Sequence, residues 1–393
     1  MSKRQKNDRK IATILKQISN FTLCKDYFMS GLYIHIPFCA SRCIYCDFYS
    51  TVGTSVHDRY VDALCHEMEL LGERPALSTV YLGGGTPSQL SHENLSRLFH
   101  HIYNVYHVDA DAEVTMECNP DDVRESMFDG LPVNRVSMGA QTFADDRLRF
   151  IRRRHTAEQV VDAVTLIRRQ GIANVSIDLM YGFPQETLDD WRGDIDQALA
   201  LQPEHISAYG LMYEEGTPLY RMLEQGKVKE IDEELSLAMY DMLVDRLTAE
   251  GYDHYEFSNF ARPGFRSRHN SSYWHNIPYI GLGASAHSYD LSTRRWNVSD
   301  IHRYISAIAR DTLPCEVEVL DDQTRYNDLV TTALRTREGI YLDHLKSSYR
   351  EFLLKNARPH IECGLLLLDD GRLHLSRAGI KVSNDVMSDL MMV

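Results

Sequence analysis

From Gly31 to about Tyr213 short apolar, β-rich runs alternate with stretches whose apolar residues recur at helical spacing. That rhythm predicts βα units and a parallel sheet. The predicted strands are LYIHI (32–36), TVYLGG (79–84), AEVTMEC (112–118), NRVSMGA (134–140), NVSIDLMYG (174–182) and HISAYGL (205–211). Between them, HDRYVDALCHEMELLGER and TAEQVVDAVTLIRRQG read as amphipathic helices, the second ending in a glycine suited to a C-cap. Six parallel units are too few for a closed eight-stranded barrel. The expected fold is therefore α/β, an open, partial (β/α)6 TIM-like barrel with its active site at the C-terminal strand ends.

Beyond Tyr213 the rhythm changes. A long helix is predicted from about Asp232 to Glu250, followed by an aromatic-rich run, YDHYEFSNFARPGFRSRHNSSYWHNIPYIGLGASAHSY, that fits no further βα unit. From about Asp321 helical patterns near 324–336 and 341–356, a hairpin turning at Asp369, Asp370 and Gly371, and a final helix near 383–392 suggest a small winged-helix-like domain. The expected division is a 1–28 N-terminal extension, a 29–215 barrel, a 216–320 connecting region and a 321–393 C-terminal domain. The extension opens with SKRQKNDRK and carries only the short apolar patch IATIL, which is no secretory signal. It reads either as a mobile basic tail or as sequence upstream of a natural start at Met29.

The 393 residues, 44% of them hydrophobic, suffice for one large domain and one or two small ones. A net charge of −14 argues against a broad nucleic-acid footprint, which needs a basic face. The eight cysteines do not form a disulfide pattern: Cys24, Cys65, Cys118, Cys315 and Cys363 are scattered, which fits a reduced compartment. No apolar run is long enough to span a bilayer, and the expected location is the cytoplasm.

The remaining three cysteines change the picture. Cys39, Cys43 and Cys46 are spaced CxxxCxxC on a loop just after the first strand. Three thiolates on one loop can each hold one iron of a 4Fe-4S cubane, leaving the fourth iron open, and an open metal position marks chemistry or exchange. A zinc site completed by a distant histidine and simple free thiols are the alternatives. GGGTPS (83–88) closes the second strand with a turn that lets backbone approach a ligand. Glu117, Gln141 and Asp178 lie in or at the ends of strands three to five, and Arg153 follows in FIRRRH. Each alone reads equally as a satisfied polar residue, but together they fall at one predicted rim.

YIHIPFC, the cysteine loop, GGGTP, MECNP, MGAQTF, the arginine before His155, IDLMYGFPQET and YEEGT resemble the radical SAM superfamily, and within it the oxygen-independent coproporphyrinogen III oxidase group. The resemblance runs from about Gly31 to the C-terminus. It implies a 4Fe-4S cluster on Cys39, Cys43 and Cys46, with S-adenosylmethionine contacts at Tyr33, Tyr45, Gly84, Gly85, Thr86, Glu117, Gln141, Arg153 and Asp178. Oxidases of the group carry a fourth cysteine two residues after the third, where this chain has Phe48. That departure, with HNSSYW (269–274), is similar to the HemW haem chaperone branch and implies a haem-binding role for His269. A histidine is a competent axial ligand, Tyr273 and Trp274 could pack on a porphyrin, and Arg294 and Arg295 could pair with propionates or simply with surface carboxylates. The resemblance thus implies binding of haem and its transfer to an acceptor protein. Oxidative decarboxylation of coproporphyrinogen III is the competing reading, and a nucleic-acid-modifying enzyme fits the acidity poorly.

Overall fold

The computed structural model describes residues 30–393; the N-terminal extension and the Met29 start lie outside the described residues. One twelve-stranded sheet organises the chain. Its parallel centre is β1 (Ser30–Ile36), β4 (Ala76–Gly84), β5 (His107–Cys118), β6 (Arg135–Gln141), β7 (Asn174–Tyr181) and β8 (His205–Gly210). β2 (Phe38–Cys39) and β3 (Thr51–Val52) form a separate two-stranded clip. The six predicted strands are these six, and the barrel is open.

The centre extends beyond the predicted unit. On one side β10 (Asn259–Ala261) and β9 (Asp253–Glu256) add antiparallel to β8. On the other, β11 (Tyr279–Leu282) pairs parallel with β1, a seventh parallel strand, and β12 (His287–Tyr289), β13 (Thr293–Asn297) and β14 (Cys315–Val319) follow antiparallel. The stretch expected to connect the barrel to the C-terminal domain and to bind haem thus also adds six short strands to the sheet. Its strands are three to five residues long and rich in polar and aromatic residues, so no periodicity announced them.

In the parallel centre, side-chain alternation divides two environments. Leu32, Ile34, Ile36, Val80, Leu82, Val114, Met116, Val136, Met138, Val175, Ile177 and Ile206 turn outward and pack with the helices in the main core. The inner face carries Tyr33, His35, Thr79, Tyr81, Thr115, Glu117, Arg135, Ser137, Ser176, Asp178, His205 and Ser207 instead. A closed TIM barrel fills this space with Val, Ile and Leu. Here it is a polar chamber.

The predicted helices are present: Ala157–Arg169, followed by Gly171 in the left-handed region, and Glu233–Ala249, capped by Asp232. Toward the C-terminus, helices Asp322–Ala333, Ser347–Glu362 and Ser383–Leu390 surround a sheet of β15 (Ile340–Tyr341), β17 (Arg372–Leu375) and β16 (Leu366–Asp369). A separate apolar core including Val330, Leu353, Leu366, Leu373 and Leu390 holds them. The hairpin turns at Asp370 and Gly371, both at positive φ, as a two-residue primed turn requires. The helix expected from 341 begins six residues later, because Ile340 and Tyr341 pair with Leu373 and Arg372.

Candidate functional site

The cysteine loop leaves β1 through Pro37 and returns at Thr51, whose amide donates to the Pro37 carbonyl at 2.6 Å. Ile44, 3% exposed, anchors the loop tip in a small core with Ile151, Met180, Phe183 and Leu219. Burying such a side chain contributes about 1.5–3 kcal/mol to holding the loop. The three thiols are half-buried, and the Thr86 hydroxyl points to the Cys39 sulfur at 3.7 Å. Burial pushes the Cys39 thiol up, and Cys46 up to about 11, so metal uptake must displace protons. Among the described residues, no three His, Cys, Asp or Glu side chains are gathered closely enough for a single metal ion. Phe48 is 64% exposed.

Beside the loop, the half-buried Arg153 donates from its guanidinium to Tyr45 Oη at 3.3 Å and to Asn119 Oδ1, while its buried Nε has no partner. Gln141 is in the left-handed region (φ 67°), where β6 bulges against β7. Such strained non-glycine backbone is found at ligand sites. Gly139 makes room for both groups: a Cβ there would lie 2.8 Å from Arg153 Nη2 and 2.9 Å from Gln141 Nε2. The glycine turn is equally tight. A Cβ on Gly84 (φ 104°) would lie 2.3 Å from the His35 ring, and one on Gly85 would lie 2.7 Å from the Ile36 carbonyl oxygen.

Glu117 joins this rim to the chamber. Its carboxylate accepts from Tyr81 Oη at 2.7 Å and Gly84 N at 3.0 Å, and burial, reinforced by Asp178, raises its pKa to about 7. Asp178 lies deeper, accepts from Ser137, and is likewise raised by burial. Thus the rim assembles Tyr45, Gly84, Gly85, Thr86, Glu117, Gln141 and Arg153 around the cysteine loop, with Asp178 and Tyr33 further in. Three thiols on one loop, close-approach glycines and an incompletely partnered guanidinium are a donor set that fits a 4Fe-4S cluster with S-adenosylmethionine.

His269 is elsewhere. It lies on the helix Arg268–Trp274, whose first amides donate to the Glu113 carboxylate, and it enters the chamber at the N-terminal strand ends. β1 spans seven residues, so this floor is about 20 Å from the cysteine loop. The ring is 1% exposed and stacks on Tyr81 and Tyr33 at 4.9 and 6.3 Å. Nδ1 shares a hydrogen bond with Thr79 Oγ1 at 2.8 Å, and Nε2 one with Tyr273 Oη at 2.9 Å. Burial and Arg135 push its pKa down to about 3. Neither nitrogen is free for iron as the ring stands, and coordination by His269 would require one of these bonds to be exchanged.

Trp274 faces away from this ring. With Phe257 it brackets the Arg335 guanidinium, at 5.2 and 5.1 Å, and so fastens the floor helix to the C-terminal bundle. Arg294 pairs with Asp328 and Glu318, and Arg295 with Glu73 at 3.9 Å while also bonding Ser288 Oγ, as the surface-carboxylate reading expected. Sequence reasoning missed the inner wall: Thr115, Arg135, Ser137 and Ser176 are polar at every second position of otherwise apolar strands, and that alternation was the available signal.

The radical SAM superfamily profile matches residues 33–198 and that of the HemN C-terminal domain residues 320–382. A protein of Lactococcus lactis named heme chaperone HemW is 34% identical over 371 residues, covering 92% of this chain and 97% of that one. Its Bacillus subtilis namesake is 34% identical over 91% of this chain and 98% of its own. Among solved structures, the Escherichia coli coproporphyrinogen III oxidase HemN, a radical SAM enzyme, superposes with a TM-score of 0.80 over 93% of this chain and 90% of its own, at 23% identity, a likeness of fold. With relatives matched from end to end at this identity, the chain belongs to the HemW family of the radical SAM superfamily.

Proposed function

We propose that this protein is a haem chaperone, which holds haem at the barrel floor and passes it to an acceptor protein, with a 4Fe-4S cluster and S-adenosylmethionine at the opposite mouth. The family supports the reading. The observation that carries it is the HNSSYW helix built into the chamber floor, with an imidazole and a phenol in contact, both groups of the kind that ligate haem iron. Cys39, Cys43 and Cys46 would hold the cluster, which when bound supplies one-electron chemistry. Gly84 and Gly85 would let backbone approach the methionine portion of S-adenosylmethionine, and Tyr33, Tyr45, Thr86, Glu117, Gln141, Arg153 and Asp178 would orient its polar groups. Phe48 stands where the oxidase branch has a further thiol, which weighs against coproporphyrinogen oxidation.

In this reading residues 29–215 are the barrel, 216–320 carry the haem-handling helix, and 321–393, with a core of their own, form the face that meets the acceptor. No helix among the described residues is long and apolar enough to cross a membrane, which is consistent with work in the cytoplasm. Anaerobic haem titration of the cluster-reconstituted protein, followed by transfer to an apo-haemoprotein, tests the proposal. Saturable, stoichiometric binding and transfer are expected. Absence of haem binding together with S-adenosylmethionine-dependent release of carbon dioxide from coproporphyrinogen III would overturn it.

A further inference from the structure

The helix Ile301–Ile308 buries Ile301, Tyr304, Ile305 and Ile308 in the main core, so His302, Arg303 and Ser306 face outward, with Arg310 two residues beyond its end. Between that outer face and the mouth ends of β13 and β14 lies a cavity of about 600 Å³, walled by Trp296, Val298, Leu313 and Pro314. Trp296 is steadied by His287, ring centroids 6.1 Å apart. Asp300 caps the helix, and the Ile301 amide donates to the Tyr49 hydroxyl at 2.6 Å, which sets the helix against the cysteine loop.

Arginines of this acidic chain are commonly paired, as Arg147 is with Glu186, Asp190 and Asp194. Arg303 and Arg310, which line the cavity, are not: neither guanidinium makes an ion pair or hydrogen bond among the described residues. Glu316, the one carboxylate in the lining, is the register partner of Trp296 and pairs with neither. The ring nitrogens of His302, also in the lining, are likewise without a partner among the described residues. Cys315 is the other metal-ligating side chain of the wall, but burial pushes its thiol up, which leaves little thiolate near neutrality. An exposed imidazole, an indole wall and two unpaired guanidinium groups complement a flat aromatic dicarboxylate that carries iron, and the volume falls in the range of cofactor pockets.

Resting on the reading of the protein as a haem chaperone, we propose that this cavity is a second, outer haem site, with His302 as the axial ligand of the iron and Arg303 and Arg310 on the propionates. The two arginines are seven residues apart, about 10 Å of helical rise, a span that their long side chains can match to two propionates. The imidazole lone pair forms its bond to iron as water leaves the iron. No proton or electron is transferred. One axial bond and two ion pairs, all reachable from solvent, can be exchanged one at a time, which is what handing haem to an acceptor requires. His269, 1% exposed and hydrogen-bonded through both nitrogens, offers no such route.

The test is ferric haem titration of full-length, cluster-reconstituted protein, read by visible absorption and resonance Raman, with iron content and near-ultraviolet circular dichroism reporting folding. His269→Ala serves as the background, because it leaves the outer site to be read by itself. It should still bind haem saturably with a histidine-to-iron signature. Adding His302→Ala should remove that signature and weaken binding about tenfold or more, whereas adding Arg303→Gln with Arg310→Gln should keep the signature and raise Kd about tenfold. With His269 intact, His302→Ala should slow transfer of haem to apomyoglobin by about tenfold or more. Haem binding that His269→Ala alone abolishes in folded protein, or transfer that His302→Ala leaves unchanged, overturns the outer site. A signature that survives His302→Ala and is lost in Cys315→Ser overturns the ligand assignment, and an unchanged Kd in the double arginine variant overturns the propionate contacts. Wild type that binds no haem sinks the chaperone reading itself, a distinct outcome.

Discussion

Glu117 is a half-buried carboxyl whose charge changes near neutrality, and its effect on stability can be worked out. In the fold its pKa rises from an ordinary 4.5 to about 7, chiefly through burial. The protonated form is therefore the one the fold prefers. Stability from this group is fully present below the unfolded value, falls as pH rises from about 4.5 to about 7, and is flat above. The full loss is about 3 kcal/mol, at 1.36 kcal/mol per unit of pKa. Glu117→Gln abolishes the titration. It also sets an amide nitrogen against either the Tyr81 hydroxyl or the Gly84 amide, both of which donate to the carboxylate, at a pH-independent cost of about 1–3 kcal/mol. The comparison is therefore of slopes. Urea denaturation of cluster-free protein between about pH 4.5 and pH 8 should show wild type losing about 3 kcal/mol relative to the variant. Parallel curves would refute the reasoning.

Three other perturbations test the site and its supports. Cys43→Ser should abolish the visible iron–sulfur absorption after reconstitution while far-ultraviolet circular dichroism stays unchanged; retained absorption would remove Cys43 from the ligand set. Gly85→Ala forces a Cβ to 2.7 Å from the Ile36 carbonyl oxygen, so it should cost about 1–3 kcal/mol in a urea titration and lower iron uptake, and wild-type behaviour in both would show that the turn can yield. Arg335→Ala removes the guanidinium between Phe257 and Trp274 and should cost about 1–3 kcal/mol, seen as faster amide exchange in 321–393 than in the barrel. Uniform exchange rates would show that this contact does not hold the bundle.

Much of this architecture was legible in the chain because its signals are local. Strands such as Asn174–Tyr181 are apolar runs bounded by turns, and the CxxxCxxC loop is a contiguous constellation. What was not legible depends on pairing. β11 is four residues long and is a strand only because Leu32 and its neighbours lie beside Ile280. The rim residues are scattered from Tyr45 to Asp178; the predicted strand ends placed Glu117, Gln141, Asp178 and the following Arg153 at one rim, whereas Tyr45 joined them only through the family resemblance. HNSSYW was legible as a motif, yet nothing in it says that Thr79 would meet one imidazole nitrogen and Tyr273 the other. An isolated aromatic run gives chemistry without direction, whereas the register of β1 against β4 supplies the direction.

The two ends of the chamber are connected by contacts that neither end requires for its own chemistry. From the floor, His269 stacks on Tyr81, Tyr81 donates to Glu117, and Glu117 accepts from the amide of Gly84 in the glycine turn. A second path runs from His269 to Tyr33 and from Tyr33 Oη to His35, whose ring fills the space a Gly84 Cβ would need. Both paths end on the same glycine. In an inner wall of Val and Leu the floor and the mouth would be separated by packing alone. Here, the polar alternation that opens the chamber also lays a line of directional bonds along it. A change in the protonation of Glu117, or in the bond made by the Tyr273 phenol, therefore alters a neighbour's hydrogen bonding rather than dissipating in side-chain packing. That line of contacts runs unbroken from the glycine turn at the mouth to His269 at the floor.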